Sequence, residues 1–168
     1  MGVKIESDER IRVFISSICG VEKYDSIRAE LKKLIEDTGI ARVYLFEGKQ
    51  QASTLTAEQD YLYGVDDSDV CVFLIDNSDG VPLGVLKEHQ RAKAHPKKSI
   101  YIFCDENEKK PTNVQNEITG AKGSKYYITN SFQDFITIGY NSFINDIVNI
   151  YLSYCRGRLI DPEFDIAK

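Results

Sequence analysis

Histidine and cysteine are scarce in this chain: two and four among 168 residues. His89 and His95 are too few imidazoles for an ordinary zinc site, so no metal is expected. Cys19, Cys71, Cys104 and Cys155 form no C-x-x-C pair and no finger spacing. Cys71 and Cys104 fall inside apolar, strand-like runs and read as small buried hydrophobes. That usage points to a reducing, cytoplasmic compartment. No stretch approaches the roughly 18 apolar residues of a membrane span, and the opening MGVKIESDER lacks the apolar centre of a signal peptide. Gly2 is followed by Glu6 where a myristoylation signal carries Ser or Thr. There is no internal repeat and no low-complexity segment.

What is present is ordinary globular composition, 42% hydrophobic and 28% charged. The length suits one domain with a substantial core. A net charge of −5 argues against nonspecific nucleic-acid or anionic-membrane binding, while leaving room for a small anionic ligand held by local donors.

Residues 1–10 are polar and read as a flexible N-terminus, 11–158 as the domain, and 159–168 as a tail or the start of a linker. IRVFIS (Ile11 to Ser16) is the first strand. A helix follows to about Asp37, with Asp25 as N-cap and Ile27, Leu31, Leu34 and Ile35 as its apolar positions. Gly39 stops it. RVYLFE (Arg42 to Glu47) is the second strand. Thr56 to Val65 is helical, opening on a capping box of Thr56 and Gln59. DVCVFLID (Asp69 to Asp76) holds a continuous apolar run, the mark of a strand covered on both faces. The polar loop Asp76 to Gly80 then leads into the helix LGVLKEHQRAKAH. The fourth strand spans Ser99 to Cys104, a short helix lies near Thr112 to Ile118, and Lys125 to Thr129 suggests a fifth, edge strand. Phe132 to Tyr154 is one long helix or two in series, with Gly139 a possible break and Gly157 at its end. The alternation implies right-handed βαβ units and a three-layer α/β fold, a parallel sheet of about five strands in the order 2-1-3-4-5.

In such sheets ligands bind at the carboxyl ends of the strands. Ser16, Ser17, Glu47, Asp76, Asn77 and Gly80 all fall there, and the ends of strands one and three are expected to form one cleft with Glu88 facing it. On its helix Glu88 lies about 40° from Ala92 and about 60° from Val85, at the rim of the apolar side. That address suits a catalytic carboxylate and equally an ordinary solvated helix glutamate. Ser16 and Ser17 read as ligand contacts or as a strand end with a turn cap. Asp76 reads equally as a turn former. Asp66, Asp67 and Asp69 read as a solvated helix end rather than a metal site. His89 projects about 100° away from Glu88, which argues against a Glu–His dyad.

An opening strand VFISS, a second strand ending in FE, a polar Gly loop after the third, then Glu88-x-x-x-Ala92, Lys97-Lys98 and an apolar strand follow one another in order. This arrangement resembles the TIR-like domains related to nucleoside deoxyribosyltransferases. It is most similar to the bacterial branch at the N-termini of multidomain, ATPase-type proteins, several linked to anti-phage defence. The resemblance covers about residues 11 to 104. It departs from the branch's Ser-Pro-Thr-Glu-like run, of which Val81-Pro82-Leu83-Gly84 keeps Pro82, after Gly80.

The resemblance implies a flavodoxin-like fold, a nucleotide-binding edge at Ser16, Ser17, Asp76 and Asn77, and Glu88 as the residue that cleaves an N-glycosidic bond. NAD is the usual substrate and no further cofactor is implied. It also implies self-association and a larger C-terminal sensor or ATPase region. Three functions follow as expectations: an NAD- or nucleotide-cleaving defence effector, a non-catalytic TIR-like assembly module, and a metabolic nucleoside or nucleotide glycosidase.

Overall fold

The apolar run of the third strand becomes the centre of the sheet. The computed structural model describes residues 10–46, 52–78, 80–95, 98–105, 111–120 and 123–157. The elements are β1 (Ile11–Ser16), α1 (Glu22–Asp37), β2 (Ala41–Leu45), α2 (Ala57–Asp67), β3 (Val70–Asp76), α3 (Leu83–Ala94), β4 (Lys98–Cys104), α4 (Asn113–Ile118), β5 (Tyr126–Thr129) and α5 (Asp134–Cys155). All strands run parallel, in the order β2-β1-β3-β4-β5. Every residue of β3 is buried, because helices cover both faces of the sheet.

Strand alternation sorts the core into two halves. Val13, Ile15, Val72, Leu74 and Ile102 face α1 and α5. Phe14, Cys71, Phe73, Tyr101 and Phe103 face α2, α3 and α4. Cys71 and Cys104 are buried, whereas Cys19 and Cys155 are exposed. Among the described residues no helix is long and apolar enough to cross a membrane.

Several expected boundaries move for local reasons. Helix α1 begins at Glu22 with Val21 at its N-cap, so Asp25 is not the cap. Gly20, at φ 82°, turns the chain earlier, and Asp25 reaches back over the first turn to accept from the Gly20 N–H at 3.2 Å. Leu34 is exposed, and the buried stripe of α1 is Tyr24, Ile27, Arg28, Leu31 and Ile35. The capping box of α2 is present, with Gln59 N–H donating to Thr56 at 3.1 Å and Thr56 N–H to Gln59 at 2.9 Å. Asp66, Asp67 and Asp69 engage cations or backbone: Asp66 pairs with Arg91, Asp67 with Arg12, and Asp69 accepts from the Arg12 N–H. Helix α5 runs unbroken through Gly139, whose missing side chain lets α5 pass close to Leu31. A Cβ there would stand 2.9 Å from Leu31 Cδ2.

Gly64 is the second close approach. Phe14 and Tyr44 stack at 5.8 Å, and a Cβ on Gly64 would sit 2.5 Å from Tyr44 Cε1 and 2.9 Å from Phe14 Cε2. Replacing Gly by Ala in a helix is worth about 1 kcal/mol in propensity. Pushing two stacked rings out of place costs about 1–3 kcal/mol. Gly64→Ala should therefore be destabilised overall, read as a lower urea midpoint with an unchanged slope.

Candidate active site at the carboxyl edge of the sheet

In the order 2-1-3-4-5 the chain reverses direction across the sheet between β1 and β3, and the crevice above that point is the usual ligand site of open α/β sheets. Ser16 closes β1 and stands beside Phe73 of β3. Its parity along the strand is that of Phe14, so its side chain faces the layer that contains α3. Glu88 comes down from α3 to the same place, and the Ser16 hydroxyl donates to Glu88 Oε2. Glu88 is 5% exposed and Ser16 1%. The rim position read from helical spacing is therefore an interior one.

Burial raises the Glu88 carboxyl from 4.5 to about 7, against the Ser16 hydroxyl and the positive Arg28, which both favour the ionised form. A buried carboxyl that changes charge near neutrality is a recurrent property of functional sites.

Asp76 does not join Glu88. It shares the parity of Val72 and Leu74, and so projects into the opposite layer. There the Tyr24 hydroxyl donates to Asp76 Oδ2 at 2.5 Å, Lys23 Nζ lies 3.6 Å away, and the Ser78 N–H donates to Oδ1 at 2.9 Å. Burial pushes Asp76 up, but these donors and the Lys23 charge outweigh it and hold the carboxyl below its usual value. The Glu88 carboxyl, beside the end of β1, and the Asp76 carboxyl, at the end of β3, thus lie on two faces of the sheet. The alternation of side chains along β3 is the reason.

Asn77, one residue on, returns to the α3 and α4 side, where its amide donates to Gln115 Oε1 at 2.8 Å and its backbone N–H to Cys104 O at 2.9 Å. Its Oδ1 is buried without a hydrogen-bond partner among the described residues. The Ser17 hydroxyl donates to the Ile18 carbonyl at 3.3 Å. Gly80 takes φ 76° and turns the chain toward α3. Glu47 lies outside the described residues, as do 48–51 and Asp79. His89 stands apart from Glu88, buried between the Tyr101 hydroxyl at 2.8 Å and Glu117 at 3.1 Å. Among the described residues no group of three His, Cys, Asp or Glu side chains is placed to hold a metal ion.

Arg28, Tyr24 and Gln115 are buried polar residues of this edge that the sequence reading passed over. A signal existed for the first two. Tyr24, Arg28, Leu31 and Ile35 recur at helical spacing, so an arginine stands on the stripe that faces the sheet. Two grooves are formed elsewhere by described residues. One lies at the amino edge beside Arg12, Arg42 and Tyr63, and the other between α1 and α5 beside Lys23, Ile27 and Ile136. Neither is lined by Glu88. The Ser16–Glu88 pair at the sheet's reversal point weighs more than either groove, because it combines chemistry with a privileged place in the topology.

The chain matches no protein-family model and no curated protein.

Proposed function

We propose that this chain is an N-glycosidase domain that cleaves the bond between ribose and base in NAD or a related nucleotide, with Glu88 as the catalytic carboxylate. The observation that carries this reading is the buried Glu88, bonded to Ser16 above the β1/β3 reversal point. The resemblance to TIR-like domains supports the same residue and adds the substrate class. It also supports a setting, a cytoplasmic effector of bacterial anti-phage defence that works in assemblies.

The chemistry needs one well-placed negative charge. As the C1′–N bond breaks, its electron pair leaves with the nicotinamide ring, which becomes neutral. Positive charge passes to C1′ and the ring oxygen of ribose, as in other glycosidic cleavages. The Glu88 carboxylate stabilises that charge or attacks C1′ directly. Water then supplies the hydroxyl that ends on C1′, and its proton goes to solvent. Since the leaving group departs neutral from a cation, no strong acid is required. Ser16 holds the carboxylate toward the crevice.

A second reading is favoured by α5, whose end leaves Val148, Tyr151 and Tyr154 exposed at 46%, 64% and 87%. Uncovered apolar residues in a row suit an assembly surface, and a purely assembling, non-catalytic module would need nothing at Glu88. One assay separates the two. The wild-type chain, clustered by fusion to an oligomer, is incubated with NAD and free nicotinamide is measured. Release above the rate of the unfused carrier is the expected outcome. A clustered protein that releases none leaves the assembly reading.

A further inference from the structure

We infer that Arg28 is the counter-charge of Glu88, a guanidinium locked under the carboxyl edge that lets this crevice keep a buried carboxylate. Arg28 is 2% exposed and lies on the sheet-facing stripe of α1. Its Nη2 donates to Asp25 Oδ1 at 2.6 Å and its Nη1 to the Phe46 carbonyl at 2.9 Å. Phe46 follows β2 directly, one residue beyond the Ile15–Leu45 pair, and is therefore level with Ser16. Ser16 in turn donates to Glu88. A cation from the α1 layer and an anion from the α3 layer thus converge on one level of the sheet edge, with only the ends of β1 and β2 between them.

Two further facts favour a charge role over a packing role. Among the described residues the Nε of Arg28 is buried without a hydrogen-bond partner, so the described surroundings do not saturate the donors of the side chain. Asp25, a direct partner, is 41% exposed, where water weakens the pair, so its carboxylate opposes the guanidinium less than a buried one would. The other described groups that act with Glu88 are Ser16 of β1, Tyr44 of β2 and Tyr61 of α2. The tyrosines are neutral acids and cannot balance a carboxylate; the Tyr44 hydroxyl is itself bonded to Asp60. Lys87, beside Glu88 in sequence, is turned to Glu58 at 2.7 Å. Burying a carboxylate without a counter-charge is costly enough that the group protonates instead.

As a positioning role in catalysis this rests on the N-glycosidase reading; the pairing of the charges does not, and it is tested without substrate. The whole chain is labelled with glutamate carrying 13C at the carboxyl, and the Glu88 signal, identified by its loss in Glu88→Gln, is followed by NMR against pH. Arg28→Gln should raise the midpoint by about one pH unit or more. Arg28→Lys, which keeps the charge, should bring it back toward the wild-type value. An unchanged midpoint in folded Arg28→Gln overturns the inference. Should Arg28→Gln not fold, it is combined with Glu88→Gln. A folded double variant supports the pairing, because the carboxylate that needed the cation is gone, and a double variant that still does not fold overturns it. A chain that cleaves no NAD yet shows the raised midpoint refutes the enzymatic reading alone.

Discussion

Glu88→Gln is expected to be more stable than the wild type above pH 7 and to lose about a hundredfold in turnover. The two effects have one cause, a carboxylate held where water is excluded. Unfolded, Glu88 titrates near 4.5, and folded it titrates at about 7. Between those values the native state binds more protons than the unfolded state, so stability falls as pH rises. Below 4.5 both states are protonated and the carboxyl costs nothing; above 7 both are ionised and the full cost is present. A rise from 4.5 to about 7 corresponds to about 3 kcal/mol. Gln keeps the shape and can still meet the Ser16 hydroxyl, but it has no charge to bury. The melting curves of the two proteins should coincide near pH 4.5 and separate progressively to pH 8, with the variant higher. Asp76 titrates in the opposite sense: its depressed carboxyl contributes above 3.8 and is lost as pH falls through its folded value. It therefore affects both proteins alike and lies below the Glu88 window. In the nicotinamide-release assay the wild-type rate should climb with pH through about 7 as Glu88 ionises. The variant should bind NAD but turn over about a hundredfold more slowly, since one electrostatic stabiliser is worth about 3 kcal/mol. Equal rates for the two proteins would remove Glu88 from the chemistry, whatever the melting curves show.

Phe73→Ala should be the most damaging single truncation of the core, at about 3–5 kcal/mol. Phe73 is fully buried in β3. Its ring stacks on Tyr101 of β4 at 4.9 Å and meets His89 of α3 edge-on at 6.0 Å. It therefore ties the central strand to its neighbour and to the helix that carries Glu88. An alanine there opens a cavity between the sheet and α3, lined by the Tyr101 and His89 rings, in a layer that cannot collapse as a loop could. It also removes the lateral support of the His89–Tyr101 contact of 2.8 Å. Total stability for a domain of this kind is about 5–15 kcal/mol, so the loss is a large share of it. The expected reading is a fall in melting temperature of about 10 °C. Phe73→Leu, which refills most of the volume, should recover more than half of the loss. A Phe73→Ala protein within about 1 kcal/mol of the wild type would mean that this layer repacks, contrary to its geometry.

The sequence by itself determined the class and order of the elements. A two-sided apolar run at Val70 to Ile75, alternating with helical spacings, admits little except a parallel sheet flanked by helices. Right-handed crossovers then leave 2-1-3-4-5 as the simplest order, and this is the order found. The Thr56–Gln59 box marked the start of α2 correctly because capping is a local interaction, complete within four residues. Only the tertiary structure decided what these elements place opposite one another. Periodicity put Glu88 at the rim of its helix, yet whether a rim is wet or dry depends on the neighbour across it. That neighbour is Ser16, 72 residues earlier in the chain. Asp76 and Ser16 both end strands, but their faces differ because each inherits its direction from the register of its own strand. The sequence places the ends of those strands only to within a residue, and one residue exchanges the faces. Arg28 was hidden for a related reason. A charged residue on an apolar stripe reads as an interruption until the opposing layer is seen to hold a buried acid that needs it.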